Sequence, residues 1–411
     1  MASFLTYLGE CDTCFLAIAS SKRKDLKTVS LLAGEGFTTS RNTAWVVLED
    51  GTVFQGKPFG YRKDEIGEVV FNTGMVGYTK SLTDPSYMGQ ILMFTYPLIG
   101  NYGVSNYQNV DTFSLPRFFE SNSIKVKGII VHEHCEKPSH WASVQTLQEW
   151  LYKEKIPGIC DVDTRSLTKR IRVKGVMMGA LVFNGKLEKG FDLLKSSKKY
   201  DEINFVEEAS VKAPKIYGSG EKTIVLVDYG VKLNIIRNLL LRGFRIIRVP
   251  YNTTSDKILA LDPDGILLSN GPGDPKQLFD SVHEVEKLLE EFNKPILGVC
   301  LGNQVLALAA GADTYKLKFG HRGQNKPILD LVNGKCYVVS ENHGYSVDAE
   351  SLKKTDFDIW FKNIDDGTIE GLRDKSKPII STQFHPEASP GPYDTTFVFD
   401  IFEKMVNSQY A

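Results

Sequence analysis

The chain has 411 residues, of which 42% are apolar and 24% charged, and its formal net charge is −1 at neutral pH. This length exceeds one ordinary core and predicts at least two domains, and the composition excludes disordered, collagen-like and coiled-coil proteins. The balanced charge creates no field that favours nucleic acid or an anionic membrane, and no apolar run reaches the roughly 18 to 20 residues of a membrane-spanning helix. We therefore expect a globular α/β protein with no nucleic-acid partner and no membrane partner.

The amino-terminal residues 1–42 show no sustained apolar periodicity and no secretory signal, so we expect a flexible extension of unassigned role, with a transit peptide as the minor alternative. Six cysteines are too few for a disulfide framework in a chain of this length and indicate a reducing, cytoplasmic location. Cys11 and Cys14 form a lone CxxC. Without a second pair or nearby histidines it is weak evidence for a metal, and we expect no metal site.

Residues 43–183 combine short strand-like stretches with one helical stretch, which predicts an α+β domain. The strand-like stretches include residues 44–48, 68–71, 90–94 and 128–131, and the helical stretch covers residues 143–154.

Residues 184–221 are rich in Lys, Ser and Gly, which predicts a surface linker before a second domain at residues 222–411. In that domain, apolar strands at residues 223–227, 244–249, 265–268 and 295–299 are interspersed with helical stretches at residues 232–241, 278–292 and 301–310. This alternation indicates right-handed βαβ units and a parallel sheet with helices on both faces. We predict a doubly wound α/β domain.

The clearest reactive residue is Cys300, which stands between an apolar strand and an apolar helix, with Gly298 and Gly302 on either side. Two glycines permit a tight strand-to-helix turn of the nucleophile-elbow type. The helix N-terminus would attract an anion such as a thiolate. The alternative is a buried structural cysteine.

A thiolate that attacks an amide needs an acid to protonate the departing ammonia, and histidine suits that role near neutral pH. His385 follows the predicted strand at residues 378–384, and Glu387 lies two residues later, where its carboxylate can orient the imidazole. The carboxyl ends of parallel strands meet at one edge of a sheet. Cys300, His385 and Glu387 are therefore predicted to form a catalytic triad.

Acyl transfer also needs donors for an oxyanion, and backbone N–H groups are the usual source. The loop SNGPGDP at residues 269–275 follows a predicted strand, and its glycines would let the main chain approach the reacting carbon. The alternative is an ordinary Gly-Pro turn. No GK[ST] follows, so the loop is not a phosphate-binding loop.

The motifs and their order resemble the class I glutamine amidotransferases. The matching segments are SNGPGDP (269–275), GVCLGNQ (298–304), NHGY (342–345) and FHPE (384–387). The first domain resembles the small subunits of carbamoyl-phosphate synthase through GEVVFNT (67–73), LTDPSY (82–87), YPLIGNYG (96–103) and DTR (163–165), as does HPEASPGP (385–392). This resemblance runs from about residue 44 to residue 406.

The resemblance implies roles at the matching positions. Cys300 would be the nucleophile, His385 the acid and base, and Glu387 the residue that orients His385. The N–H groups of Gly273 and Leu301 would form the oxyanion hole. The glutamine-binding residues would be Ser86, Gly271, Gly273, Leu301, Gln304, Asn342, Gly344 and Tyr345.

The family further implies hydrolysis of L-glutamine through a thioester, with ammonia passed to a large synthetase subunit. That partner would use ATP and Mg²⁺ to make carbamoyl phosphate for pyrimidine and arginine biosynthesis, and this chain would need no cofactor. Three alternatives stay open at this point: an amidotransferase for another synthetase such as that of anthranilate or GMP, a catalytically silent regulatory subunit, and a cysteine peptidase.

Overall fold

A computed structural model describes residues 42–183 and 186–408, all of which belong to one compact unit. The predicted flexible extension lies almost entirely outside the described residues, as do Cys11 and Cys14. No helix among the described residues is both long enough and apolar enough to cross a bilayer.

The first part of the chain forms a closed barrel. Its strands are β1 (Ala44–Leu48), β2 (Val53–Gly60), β3 (Glu65–Asn72), β4 (Gln90–Phe94), β5 (Leu98–Ile99), β6 (Gly128–Ile130), β7 (Glu133–His134), β8 (Pro157–Cys160) and β9 (Met177–Val182). Its helices are α1 (Tyr78–Thr83), α2 (Leu147–Lys153) and α3 (Thr164–Lys174). The barrel order is β1-β2-β8-β6-β4-β3-β9, and β5 pairs with β7 outside it. Every residue of the apolar β4 is buried, as expected for a strand covered on both faces.

The segment at residues 184–221, predicted as a linker, contains folded elements among its described residues. These are α4 (Glu188–Ser196), α5 (Val206–Ala209) and β10 (Lys215–Tyr217), with a 3-10 turn at Tyr200–Glu202. Tyr200 and Phe205 stack with ring centroids 4.8 Å apart and are buried together with Met88. Two buried aromatic side chains hold the segment against the body of the protein, which its Lys- and Ser-rich composition does not reveal.

The second part of the chain is built on one large mixed sheet. Its further strands are β11 (Thr223–Asp228), β12 (Arg245–Pro250), β13 (Gly265–Leu268), β14 (Ile296–Val299), β15 (Thr314–Asp330), β16 (Cys336–Val347), β17 (Phe357–Asn363), β18 (Ile369–Asp374) and β19 (Ile379–Thr382). Its helices are α6 (Leu233–Leu241), α7 (Ser255–Leu259), α8 (Phe279–Glu291), α9 (Leu301–Ala309), α10 (Ala349–Leu352) and α11 (Phe397–Asn407). The strand order is β10-β12-β11-β13-β14-β19-β18-β17-β15-β16.

Helices cover the parallel centre of this sheet on both faces. Strands β12, β11, β13, β14 and β19 run parallel. Val225 and Val227 of β11 belong to one apolar core with residues of α8 and α9, whereas Ile224 and Leu226 belong to a second core with residues of α6 and α11. Successive residues of a strand point to opposite faces, so β11 supplies both cores. The predicted doubly wound α/β fold is confirmed.

The sequence analysis did not identify the antiparallel extension of the sheet. Strands β15 and β16 form a long hairpin whose register shifts between Lys316 and His321 and again between Gly323 and Lys326. These irregularities interrupt the regular alternation of apolar and polar residues that marks a strand in a sequence. The hairpin carries the NHGY motif on β16.

Candidate active site

Cys300 occupies a strained turn between β14 and α9. Its φ of 53° lies in the left-handed region, which few residues other than glycine adopt, and it is 2% exposed. The two flanking glycines are needed for close packing: a Cβ atom on Gly302 would lie 2.1 Å from the carbonyl oxygen of Leu268, and one on Gly298 would lie 2.9 Å from the carbonyl carbon of Gly302. The predicted nucleophile-elbow geometry is therefore present.

The sheet brings His385 next to Cys300. Strands β14 and β19 are parallel neighbours, with Val299 opposite Thr382, and the N–H of Cys300 donates to the carbonyl oxygen of Thr382 at 2.7 Å. His385 comes three residues after Thr382, at the same edge of the sheet. Its Nδ1 lies 2.6 Å from Oε1 of Glu387. Its Nε2 has no hydrogen-bond partner among the described residues.

The electrostatics of the three side chains are strongly coupled. Burial by itself would lower the pKa of His385, but the Glu387 carboxylate and the Cys300 sulfur outweigh it and raise that pKa to about 10. Burial would raise the pKa of Glu387, but Lys232 and His385 outweigh it and hold that pKa at about 2. An ionised Glu387 therefore faces a protonated His385.

Lys232 is a partner of this site that the sequence analysis missed. Its Nζ lies 2.9 Å from Oε1 of Glu387, and the two side chains are 2% and 0% exposed. The same Nζ donates to the carbonyl oxygen of Ala388 at 2.5 Å. Lys232 stands just before α6 in a stretch predicted as helical, where a lysine is ordinarily solvated, so its sequence position carried no signal.

Among the described residues, two polar groups lie within 4 Å of the sulfur of Cys300. Nε2 of Gln383 lies 3.6 Å from it, and the thiol lies 3.7 Å from the carbonyl oxygen of Asn342. Gln383 was not predicted as a site residue. Its Oε1 also accepts from Nε2 of Gln304 at 3.0 Å, so that Gln383 contacts both the Cys300 sulfur and a residue of the pocket wall.

The two predicted oxyanion donors differ in their present contacts. Leu301 begins α9, where the first N–H groups of a helix have no partner within it. The N–H of Gly273, a residue with φ of 94°, donates to the hydroxyl of Tyr200 at 3.1 Å. One predicted donor is therefore bonded to a side chain of the segment that was predicted to be a linker.

Seven of the predicted glutamine-binding residues line one pocket together with Cys300. They are Ser86, Gly271, Gly273, Gln304, Asn342, Gly344 and Tyr345. The predicted Leu301 lies beside Cys300 at the start of α9. The structure thus brings residues from the barrel, the Gly-Pro loop, α9 and β16 to one place.

Contacts between the barrel and the second part of the chain build this pocket. Asp84 accepts from Nδ2 of Asn342 at 2.9 Å, and Ser86 accepts from Nδ2 of Asn270 at 2.9 Å. Asp84 also caps the 3-10 turn at Pro85–Tyr87 through the N–H of Ser86. A short capped turn therefore holds Ser86 against the loop that follows β13.

The pocket also contains charged residues that the sequence analysis did not identify. Glu68 lines it together with Lys316 and Arg322, and Nζ of Lys316 lies 2.8 Å from Oε1 of Glu68. Glu68 is 3% exposed in the apolar strand β3, and a buried carboxylate in such a strand was an available signal. Beside the pocket, His321, Glu341, His343 and Glu370 bring possible metal-binding atoms within 4.8 Å of one another.

Comparison with known proteins agrees with this arrangement. Residues 46–181 match the family model "Carbamoyl-phosphate synthase small chain, CPSase domain", and residues 225–405 match "Glutamine amidotransferase class-I". The chain is 48% identical over 365 residues to a protein of Sulfolobus acidocaldarius, covering 88% of this chain and 96% of that one. It is 47% identical over 371 residues to one of Pyrococcus furiosus (89% and 98%) and 46% identical over 366 residues to one of Listeria monocytogenes (89% and 97%). All three are named carbamoyl phosphate synthase small chain.

Proposed function

This chain belongs to the carbamoyl phosphate synthase small chain family, and we propose that Cys300, His385 and Glu387 carry out its hydrolysis of L-glutamine. The chain is the glutamine-hydrolysing subunit of that enzyme. The assignment of these residues rests on one observation. Cys300 and His385 follow the carboxyl ends of the adjacent parallel strands β14 and β19, beside the pocket, and His385 is hydrogen-bonded to Glu387. The match of residues 46–181 to the small-chain domain disfavours an amidotransferase for anthranilate or GMP.

In the first half-reaction, the Cys300 thiolate attacks the side-chain amide carbon of glutamine. The N–H groups of Gly273 and Leu301 stabilise the resulting oxyanion. His385 donates a proton to the departing nitrogen, the C–N bond breaks, and ammonia leaves a γ-glutamyl thioester on the sulfur.

In the second half-reaction, His385 acts as the base. It takes a proton from a water molecule, which attacks the thioester carbonyl and forms a second oxyanion in the same hole. The C–S bond breaks, and glutamate and the Cys300 thiolate are released. Glu387 keeps the imidazole oriented and stabilises its charged form in both steps.

The charges of the pocket suit an amino acid substrate. We propose that Glu68 faces the α-ammonium group and that Lys316 or Arg322 faces the α-carboxylate, since free glutamine carries both charges. Ser86, Gln304, Asn342 and Tyr345 would then hold the remainder of the molecule. A peptide bond in the middle of a chain has neither charge nearby, which argues against a peptidase.

The two matched domains are a small-chain domain and a glutamine amidotransferase domain, which supports use of the ammonia by a partner. We propose that it passes to a large synthetase subunit, which uses ATP and Mg²⁺ to make carbamoyl phosphate for pyrimidine and arginine biosynthesis. This chain itself needs no cofactor for the glutaminase step under the proposal. The cytoplasmic location stays a prediction.

The test is a glutaminase assay on the purified chain, alone and with a large subunit. We expect slow hydrolysis alone, faster hydrolysis in the complex, and loss of activity in Cys300→Ser with an unchanged circular dichroism spectrum. Cys336→Ser is the matched control, since this exposed cysteine lies far along β16 from the pocket motif and should leave activity intact. Undiminished activity in Cys300→Ser would remove the proposed nucleophile.

A further inference from the structure

Four side chains from three strands meet in the protein interior beside the glutamine pocket. His321 comes from β15, Glu341 and His343 from β16, and Glu370 from β18. Each is at most 5% exposed, and one possible ligand atom from each lies within 4.8 Å of the other three. We propose that these residues bind one divalent transition-metal ion of the zinc type. The sequence analysis predicted no metal site, and the glutaminase chemistry proposed above does not require one.

Each of the four side chains has one buried polar atom that makes no hydrogen bond to the described residues. Nδ1 of His321, Nε2 of His343, Oε2 of Glu341 and Oε2 of Glu370 are all buried without a hydrogen-bond partner among the described residues. Nδ1 of His321 and Oε2 of Glu341 approach to 2.8 Å, but their directions do not meet hydrogen-bond geometry. Buried polar atoms are rarely left unpaired, and four in one cluster favour a shared ligand.

The opposite side of each ligand is held by a second group, as in known metal sites. Nε2 of His321 lies 2.8 Å from a carboxylate oxygen of Asp366, and Nδ1 of His343 lies 2.9 Å from the carbonyl oxygen of Tyr345. If each of these nitrogens carries the ring proton, the other nitrogen of each ring presents a lone pair to the cluster. A histidine that binds a metal almost always donates its second N–H to such a carboxylate or carbonyl.

The two carboxylates are oriented in the same way. Oε1 of Glu341 accepts from Nδ2 of Asn363 at 3.2 Å, which leaves its Oε2 toward the cluster. Oε1 of Glu370 accepts from the hydroxyl of Thr368 at 3.0 Å, and the same oxygen lies 3.8 Å from Nδ1 of His321 and from Nε2 of His343. All four proposed ligands therefore have a supporting partner.

The spacing fits a small tetrahedral ion. Bonds of 2.0–2.2 Å to zinc place neighbouring ligand atoms about 3.3 to 3.6 Å apart. Nδ1 of His321 lies 2.8 Å from Oε2 of Glu341 and 3.8 Å from Oε1 of Glu370, and Nε2 of His343 lies 3.6 Å and 3.8 Å from the same two oxygens. These four imidazole–carboxylate separations bracket the expected value, and all four ligand atoms lie within 4.8 Å of one another.

The donor set selects the kind of ion. Two imidazole nitrogens and two carboxylates suit Zn²⁺ and similar transition metals, whereas Mg²⁺ and Ca²⁺ prefer oxygen ligands alone. Two carboxylates also neutralise a divalent cation, which a buried site requires.

The ion would restrict the movement of β16, the strand that forms one wall of the pocket. Glu341 and His343 flank Asn342, and His343 itself lines the pocket. The carbonyl of Tyr345 that accepts from His343 also accepts from Nε2 of Gln304 at 2.9 Å. A metal bound by both neighbours of Asn342 would restrict that strand without touching the reacting atoms.

Metal content tests the proposal independently of glutaminase activity. Untagged full-length chain is equilibrated with ZnCl₂, freed of loose ions by gel filtration, and measured by inductively coupled plasma mass spectrometry. We expect about one zinc per chain, and a melting temperature that rises when zinc is restored to chelator-treated protein. Glu341→Gln keeps the size of the side chain but weakens the ligand, and should reduce zinc affinity about 10- to 100-fold or more.

Two controls address zinc bound elsewhere. Glu286→Gln alters an exposed carboxylate 3.1 Å from His283 and should retain the zinc. Cys11→Ser/Cys14→Ser removes the CxxC pair and should also retain it. If Glu341→Gln fails to fold, the absorption spectrum of Co²⁺ bound to the wild-type chain replaces it. Tetrahedral nitrogen and oxygen ligation gives visible bands far more intense than those of octahedral ligation, without the near-ultraviolet charge-transfer band of thiolate ligation.

Two results would overturn the proposal. The first is less than a tenth of an equivalent of zinc in the equilibrated wild-type chain, which would make the cluster a network of hydrogen-bonded and charged groups only. The second is zinc that persists in Glu341→Gln but disappears with the CxxC pair.

Discussion

The ion pair of Lys232 and Glu387 is the buried support of the proposed triad. Nζ of Lys232 lies 2.9 Å from Oε1 of Glu387, and neither side chain is more than 2% exposed. The same carboxylate oxygen lies 2.6 Å from His385, while Oε2 has no hydrogen-bond partner among the described residues. The negative charge of Glu387 is therefore balanced in the interior by Lys232 and His385.

We predict that Lys232→Met lowers the free energy of unfolding by up to about 3–5 kcal/mol, because it removes one of the two buried cations that compensate Glu387 and the buried cation that faces Asp84 and Glu120. Methionine fills nearly the same volume, so loss of packing contributes little. Adding Glu387→Gln should recover part of this loss, since the buried carboxylate that Lys232 compensated is then gone. The double variant should nevertheless lack glutaminase activity, because His385 loses the carboxylate that orients it.

Urea unfolding of the full-length chain, followed by fluorescence and circular dichroism, measures these differences. Lys353→Met is the matched control: its partner Glu350 lies 2.7 Å away, but the two side chains are 69% and 78% exposed, and a surface pair of this kind has little effect on stability. The reasoning is refuted if Lys232→Met destabilises the chain no more than Lys353→Met, or if the double variant is no more stable than Lys232→Met.

Two further predictions concern Tyr200 and His385. Tyr200→Phe removes the hydroxyl that accepts the Gly273 N–H, which frees this amide to bind an oxyanion. We expect kcat of the isolated chain to rise by up to about 10²-fold, the contribution of one such donor. An unchanged kcat at saturating glutamine would contradict this. Because the pKa of His385 is raised from 6.5 to about 10, its ionised form stabilises the fold fully below pH 6.5, and this contribution is lost as the pH rises toward 10. The difference in unfolding free energy between wild type and His385→Gln should therefore shrink over that range in urea titrations, and a constant difference would count against the ion pair.

Much of the fold could be predicted because many of its elements are set by local patterns. The predicted strands at residues 44–48, 90–94 and 265–268 have the observed bounds, and the predicted helix at residues 301–310 differs from α9 by one residue. Continuous apolar runs and glycine boundaries carry this information in the sequence itself. The bulged β15–β16 hairpin lacks such regularity and was not predicted.

The sequence predicted only some residues of the candidate site. Residues in a local motif could be recognised, whereas residues that join the site only through the fold could not. Cys300 and His385 stand in local motifs with glycines or a nearby carboxylate, so their positions were apparent. Lys232 and Tyr200 lie in stretches of ordinary composition, and only the folded chain brings them to Glu387 and to the amide of Gly273.

The sequence by itself determined the alternation of strands and helices, the strained turn at Cys300 and the chemistry of the triad residues, because these depend on neighbours within a few positions. Tertiary structure alone decided which distant side chains share one buried space: Lys232 with Glu387, Asp84 with Asn342, and His321 with Glu370. Removing a charge from water is costly unless another group compensates it, and that compensation depends on distances between strands that no local pattern encodes.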